Sequence, residues 1–227
     1  MPTKVETRLY SMADADLKQK ADGLKATITR DLADFAKRNI TATQVTAYEA
    51  LIDAFDDAST DEELLGEVMA ATDAKNVIAE NTRIAIRAIR GMADTAYNGK
   101  GKYRIFAFEE LTKLTDADLY KLAKRVVRVG GKLFTDLASQ GLTQAQLTDL
   151  DNLAKSFDTA IDAVEEAIEN RDLETQDRII KGNTLWQEML HLAAIGKSLY
   201  EDSNEAKFND YVLIGGGTAP VTPPPAG

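Results

Sequence analysis

The sequence predicts an all-α fold: two tandem three-helix antiparallel bundle repeats, six long helices in all, with short extended straps and a disordered Pro-rich C-terminal tail. Three observations carry this expectation. Apolar residues recur every three or four positions over long stretches, as one buried helix face requires. Capping patterns stand at the starts of those stretches. The 5 prolines fall outside them, so no proline breaks a helix inside the periodic segments.

The repeat is visible when the chain is slid against itself by 102 positions. Residues 13–57 then align without a gap to residues 115–159, with 13 identities in 45 pairs. Background composition would give roughly three. Asp14-Ala15-Asp16-Leu17 falls on Asp116-Ala117-Asp118-Leu119, Thr41 and Gln44 on Thr143 and Gln146, and Phe55-Asp56 on Phe157-Asp158. With short insertions, Tyr97 then meets Tyr200, and Lys102-Tyr103-Arg-Ile-Phe106 meets Lys207-Phe208-Asn-Asp-Tyr211. Matched caps and matched terminal aromatics argue for duplication. The expected division is a first helical repeat over residues 1–102, a second over 103–214, and a Gly/Pro-rich tail or linker over 215–227.

Within each copy the first helix starts near Ala13 or Asp116, with Ser11 or Thr115 as N-cap ahead of acidic residues. Leu17, Ala21, Leu24, Ile28, Leu32 and Phe35 mark its apolar face, repeated as Leu119, Ala123, Val126, Gly130, Leu133 and Leu137. The second helix opens on Thr-x-x-Gln in both copies, where the Thr oxygen accepts a free amide and the Gln returns to the cap. In the first copy a further box, Thr60 to Glu63, predicts a break near Ser59. The third helix is expected from about Asp73 to Ala96 and from about Glu174 to Tyr200. Lys102–Phe108 and Phe208–Ile214 read as extended straps with buried aromatics. After Ile214, three glycines and a proline run read as a hinge followed by polyproline II.

Charge and composition narrow the functional classes. The formal net charge is −10 with no acidic block, which opposes attraction to phosphate backbones and to anionic membranes. We therefore expect no nucleic acid partner and no membrane insertion. The chain has no cysteine, which removes thiolate nucleophiles, disulfides and Cys-ligated metals. MPTKVETRLY has no apolar stretch after its charges and is not expected to be a signal peptide. The compartment stays open.

Candidate chemistry is sparse. Glu188 and the sole histidine, His191, form a Glu-x-x-His pair on one helix face, the half-site of a di-iron carboxylate bundle. Such a site needs a second histidine, so His191 reads first as a surface or interface residue. Asp14, Asp16, Asp116 and Asp118 read as first-turn residues facing the helix dipole rather than as acid-base pairs. Gly130-Gly131-Lys132 lacks the strand, spacing and hydroxyl residue of a phosphate loop and reads as a close-packing point. Asn39-Ile-Thr41 matches a glycosylation triplet, but Thr41 is better explained as a cap. Tyr48, Tyr97, Tyr120, Trp186 and Tyr200 read as core or rim aromatics rather than a base-stacking platform. Arg83, Arg87 and Arg90 share a helical stripe and read as a solvated face paired with acids, or as an anion site.

Thr115–Leu119, Gly141–Thr143 and Asn209–Val212 resemble the Thr-Asp-Ala-Asp-Leu helix start, the Gly-Leu-Thr turn and the Asn-Asp-Tyr-Val end of uncharacterised bacterial all-helical tandem-repeat proteins. The resemblance implies the fold and no activity. The expectation is a non-catalytic helical scaffold or protein-interaction module that binds a protein partner or itself, with no cofactor. A small-ligand or metal-binding bundle centred on Glu188 and His191, and a structural subunit of a filament or particle, are the other readings.

Overall fold

The computed structural model describes residues 6–213 apart from Lys100 and Glu109. The predicted tail over 215–227 lies outside the described residues. Among the described residues there are eight α-helices, three short 3-10 turns and no strand. The helices are α1 (Asp14–Arg30), α2 (Leu32–Phe35), α3 (Ala42–Asp56), α4 (Asp61–Tyr97), α5 (Asp116–Lys132), α6 (Phe134–Ala138), α7 (Gln144–Tyr200) and α8 (Glu205–Asp210). The all-α expectation is met. No helix here is long and apolar enough to cross a membrane.

Helix boundaries follow the local chemistry. Thr143 and Gln146 make both bonds of a capping box: the Thr143 amide donates to Gln146 Oε1 at 2.8 Å, and the Gln146 amide donates to Thr143 Oγ1 at 3.2 Å. The Thr41 amide donates to Gln44 Oε1 at 3.0 Å in the same way. Just before each box the chain turns through the left-handed region, at Asn39 (φ 62°) and Gly141 (φ 95°). Asn and Gly are the residues that adopt this conformation at least cost. Thr115 caps α5 by accepting from the Asp118 amide at 3.2 Å. The cap of α1, by contrast, is Ala13, which contributes no side-chain acceptor, so Ser11 does not fill the expected role.

Element starts and ends repeat along the chain. α1 and α5 begin 102 positions apart and end 102 positions apart, as do the starts of α2 and α6 and of α3 and α7. The two copies diverge after that. α3 stops at Asp56, and α4 starts at Asp61 rather than near Asp73. In the second copy nothing breaks the chain, and the expected second and third helices are one helix of 57 residues. The expectation of six long helices is corrected on this point. At the break the first copy has Asp57-Ala58-Ser59-Thr60, three of them residues that favour caps and turns. The second has Thr159-Ala160-Ile161-Asp162, with an apolar β-branched residue, Ile161, where the first copy has Ser59.

The expected extended straps are helical in part, over residues 102–106 and 208–210, and Ile214 lies outside the described residues. Gly101–Phe106 forms a 3-10 turn, and Phe208 lies in α8, whose cap Asn204 accepts from the Lys207 amide at 3.0 Å. The spacing explains this. Tyr103 and Phe106, like Phe208 and Tyr211, stand three apart, so one helical turn delivers both rings to the same side. Phe106 and Tyr211 are fully buried, while Tyr103, Phe108 and Phe208 are half-buried.

Packing divides the chain into two compact units whose limits differ from the sequence copies. One unit joins the stretch ending at Asp61 to the stretch beginning at Asp172; the other is Glu62–Arg171. In the first, Leu17, Ala21, Leu24 and Ile28 of α1 and Tyr48, Ile52 and Phe55 of α3 share a core with Leu185, Trp186, Met189 and Leu192 of α7. In the second, Ile86 and Ile89 of α4 share a core with Leu119, Ala123 and Val126 of α5 and Leu147, Leu150, Ala154 and Phe157 of α7. Each unit thus takes its first two helices from one sequence copy and its third from the other.

Close helix approach is most demanding at Gly196, where an added Cβ would lie 2.3 Å from Cγ and Cδ1 of the buried Tyr211 ring. A rigid buried ring cannot yield that space. Gly196→Ala is expected to destabilise by about 1–3 kcal/mol. Gly91→Ala, on an exposed stretch of α4 with nothing within 4 Å, is expected to stabilise by up to about 1 kcal/mol. Urea unfolding of the two variants checks the opposite signs.

Candidate functional site

The densest set of polar groups in the first unit surrounds Asp31, the residue that ends α1. Its side chain is 1% exposed and carries a charge, so it must be neutralised locally. Arg30 donates to it twice, from Nε at 3.1 Å and from a terminal nitrogen at 2.7 Å. Lys207 Nζ donates to Oδ1 at 2.7 Å and the Tyr211 hydroxyl to Oδ2 at 2.9 Å. The Arg30 guanidinium, then Lys207 and Tyr211, hold the carboxyl well below the ordinary carboxylate range against the opposing effect of burial. Burial, and then the bond to Asp31, push the Tyr211 phenol far up. The arrangement keeps Asp31 ionised and Tyr211 protonated, the reverse of what a general acid or base near neutrality needs.

A second ring of groups extends outward. Tyr200 donates to Asp34 Oδ2 at 2.8 Å, and Lys207 Nζ stands 4.7 Å from the Tyr200 ring centre. The second unit contains the same trio. Tyr97 donates to Asp136 at 3.1 Å, Lys102 pairs with Asp136 at 2.5 Å, and Lys102 Nζ stands 5.9 Å from the Tyr97 ring. Where the first unit has Asp31 and Tyr211, however, the aligned positions hold Leu133 and Phe106. A buried carboxylate and its hydroxyl donor are replaced together by two apolar side chains.

The first-turn aspartates have a role the sequence reading missed. Asp14 accepts from the Tyr10 hydroxyl at 2.9 Å and lies 3.3 Å from Arg178 Nε. Burial, then Asp14, push the Tyr10 phenol up to about 12. Arg178 is 5% exposed and also donates to the Ser59 carbonyl at 2.8 Å and to Asp61 Oδ1 at 2.5 Å. In the second unit Lys75 pairs with Asp116 at 2.5 Å. Asp14 and Asp116 align at 102 positions and Arg178 and Lys75 at 103, so the repeat itself carried the signal. Asp118 stays at the cap, accepting from the Thr115 hydroxyl at 2.7 Å.

The remaining candidates disperse. His191 is exposed beside a shallow depression lined by Arg38, Ala194, Ile195 and Ser198, and Glu188 is half-buried near the Tyr48 hydroxyl. Among the described residues no three His, Asp or Glu side chains converge as an ion would require. Arg83 donates to the Leu111 carbonyl at 3.1 Å, Arg87 pairs with Glu80 at 2.9 Å, and Arg90 donates to the Tyr103 hydroxyl at 3.3 Å. The arginine stripe is thus tied up by protein groups. Gly130 sits where a Cβ would lie 2.8 Å from a Leu147 methyl, in keeping with the packing reading. Tyr48, Trp186 and Tyr200 are buried, and Tyr97 and Tyr120 pack half-buried against the second core.

No family profile, no curated protein and no solved structure matches the chain.

Two outcomes test the Asp31 network. Tyr211→Phe alone is expected to cost about 1.5–3 kcal/mol, because a hydrogen bond to a buried charge is lost. Adding Asp31→Leu, which reproduces the second unit's pair, should recover part of that loss. Because the folded-state pKa of Asp31 is depressed, its contribution is complete above the ordinary carboxylate range and is lost as pH falls below about 4. Urea midpoints between neutral and acid pH should show a shallower acid decline in the double variant than in the wild type.

Proposed function

We propose that this chain is a non-catalytic helical scaffold or protein-interaction module, made by duplication of one three-helix unit. Tyr10, Tyr97, Lys124, Tyr200, Lys207 and Tyr211, all with raised pKa values, sit in ion pairs and hydrogen bonds between separate elements, which supports a structural use for them. Helix starts matched at 102 positions support the duplication.

The observation that carries the interaction reading is a stripe on α4. Leu65, Met69, Val77 and Ile84 are 49%, 58%, 62% and 53% exposed. At the helical period they fall within an arc of about 120°. They extend over roughly 28 Å of helix. Four large apolar side chains left to solvent on one face suit contact with the apolar face of a protein partner. Asp73, Glu80 and Arg87 interrupt or border the stripe and would set register.

Replacing Met69 and Val77 by Asp should abolish partner capture or self-association while shifting the unfolding midpoint by no more than about 0.5 kcal/mol. Light scattering on the full chain reads self-association, and affinity capture reads a partner. Unchanged association or capture by the double variant would remove the α4 face from the reading.

A further inference from the structure

The structure assigns a second copy of this chain as a partner that can complete the first unit by exchanging the segment over residues 6–61. This rests on the duplication reading only for the alignment of the α3–α4 junction with α7; the α4 stripe plays no part. Three observations point to it. First, the unit ending at Asp61 and resuming at Asp172 is held together by non-covalent contacts between two distant stretches of chain. These include the shared core, the Lys207–Asp31 pair at 2.7 Å, the Tyr200–Asp34 bond at 2.8 Å and the amide clamp of Asn183. That clamp accepts from the Leu9 amide at 2.7 Å and donates to the Thr7 carbonyl at 2.9 Å.

Second, the segment is joined to Glu62–Arg171 through one short non-helical junction, Asp57 to Thr60. Third, the same junction exists straight in this chain. The aligned residues 159–162 lie inside α7 with no interruption. Turned and straight forms of one repeat element are therefore both compatible with its packed helices. If Asp57–Thr60 straightened in two chains, each segment could seat on the other chain's α7 with the contacts inside the unit retained, apart from those Arg178 makes to the junction. Exchange of an identical element changes only the junction and the entropy of association, so concentration decides between the closed and exchanged forms.

Arg178 sets the preference for the turned form. It donates to the Ser59 carbonyl at 2.8 Å and to Asp61 at 2.5 Å while its Nε stays by Asp14. In a continuous helix the Ser59 carbonyl would accept from the amide four residues on, and Arg178 would lose that acceptor.

The test uses the wild-type chain. Unlabelled and heavy-nitrogen-labelled protein are unfolded together in urea and refolded at low and at high total concentration. Dimer is isolated by size exclusion and treated with a water-soluble carbodiimide, which joins a lysine amine directly to a carboxylate in contact with it. Mass spectrometry then reads the isotope of each linked peptide. The expected result is a dimer whose fraction rises with refolding concentration. Its links from Lys207 to Asp31 or Asp34 would join light and heavy chains, while links from Lys75 to Asp116 stay within one isotope. Arg178→Gln should raise the dimer fraction at a given concentration. Monomer at every concentration would overturn the proposal, as would a dimer with only single-isotope Lys207 links. The second outcome would indicate contact through a surface such as the α4 stripe.

Discussion

The constraint on which everything else turns is the continuity of α7. A helix of 57 residues with no break cannot fold back upon itself, so its two halves cannot belong to one three-helix core. Residues up to Phe157 bury their apolar positions against α4 and α5, and those from Leu185 bury theirs with α1 and α3. Because α7 is continuous, the third helix of each unit must be supplied by the other copy. The four-residue break after Asp56 lets the first copy meet that demand. The crossed composition of the units thus follows from whether one junction is capped.

Much of this was legible in the sequence. Thr-x-x-Gln marked the starts of α3 and α7, and the three-four apolar spacing named Leu17, Ala21, Ile28 and Phe35, with Leu119, Ala123 and Leu137, as core. Even the break near Ser59 was signalled by its cap-forming residues. What could not be read was which helices share a core, because an apolar stripe states that it must be covered and not by what. The aromatic straps misled for a related reason: Tyr103 with Phe106 suits one face of a helical turn as well as alternate sides of a bend.

The polar interior was the least legible part. A single basic residue such as Arg178 within a long helix has no local mark of burial, and its partners lie 117 and 119 positions away. Asp31 likewise looked like any surface carboxylate at a helix end. Only the comparison between copies distinguishes the two cases. Arg178 has a cationic counterpart in Lys75, so a charge pair recurs there, whereas Asp31 and Tyr211 face Leu133 and Phe106. One ionic device is common to both units and the other is present in only one of them, so a three-helix core of this kind forms without it.

The side chain of Asn183 has a quieter implication. It grips the backbone before α1 on both sides of Arg8, as a neighbouring strand would, while Gln176 holds the Glu6 amide at 2.8 Å. A stretch with no regular secondary structure is therefore fastened to α7 by side-chain amides. Amide hydrogens at Glu6 and Leu9 should exchange with solvent more slowly than those of an unfastened segment, and residues 6–9 should be cut more slowly by proteases than an unfastened segment would be.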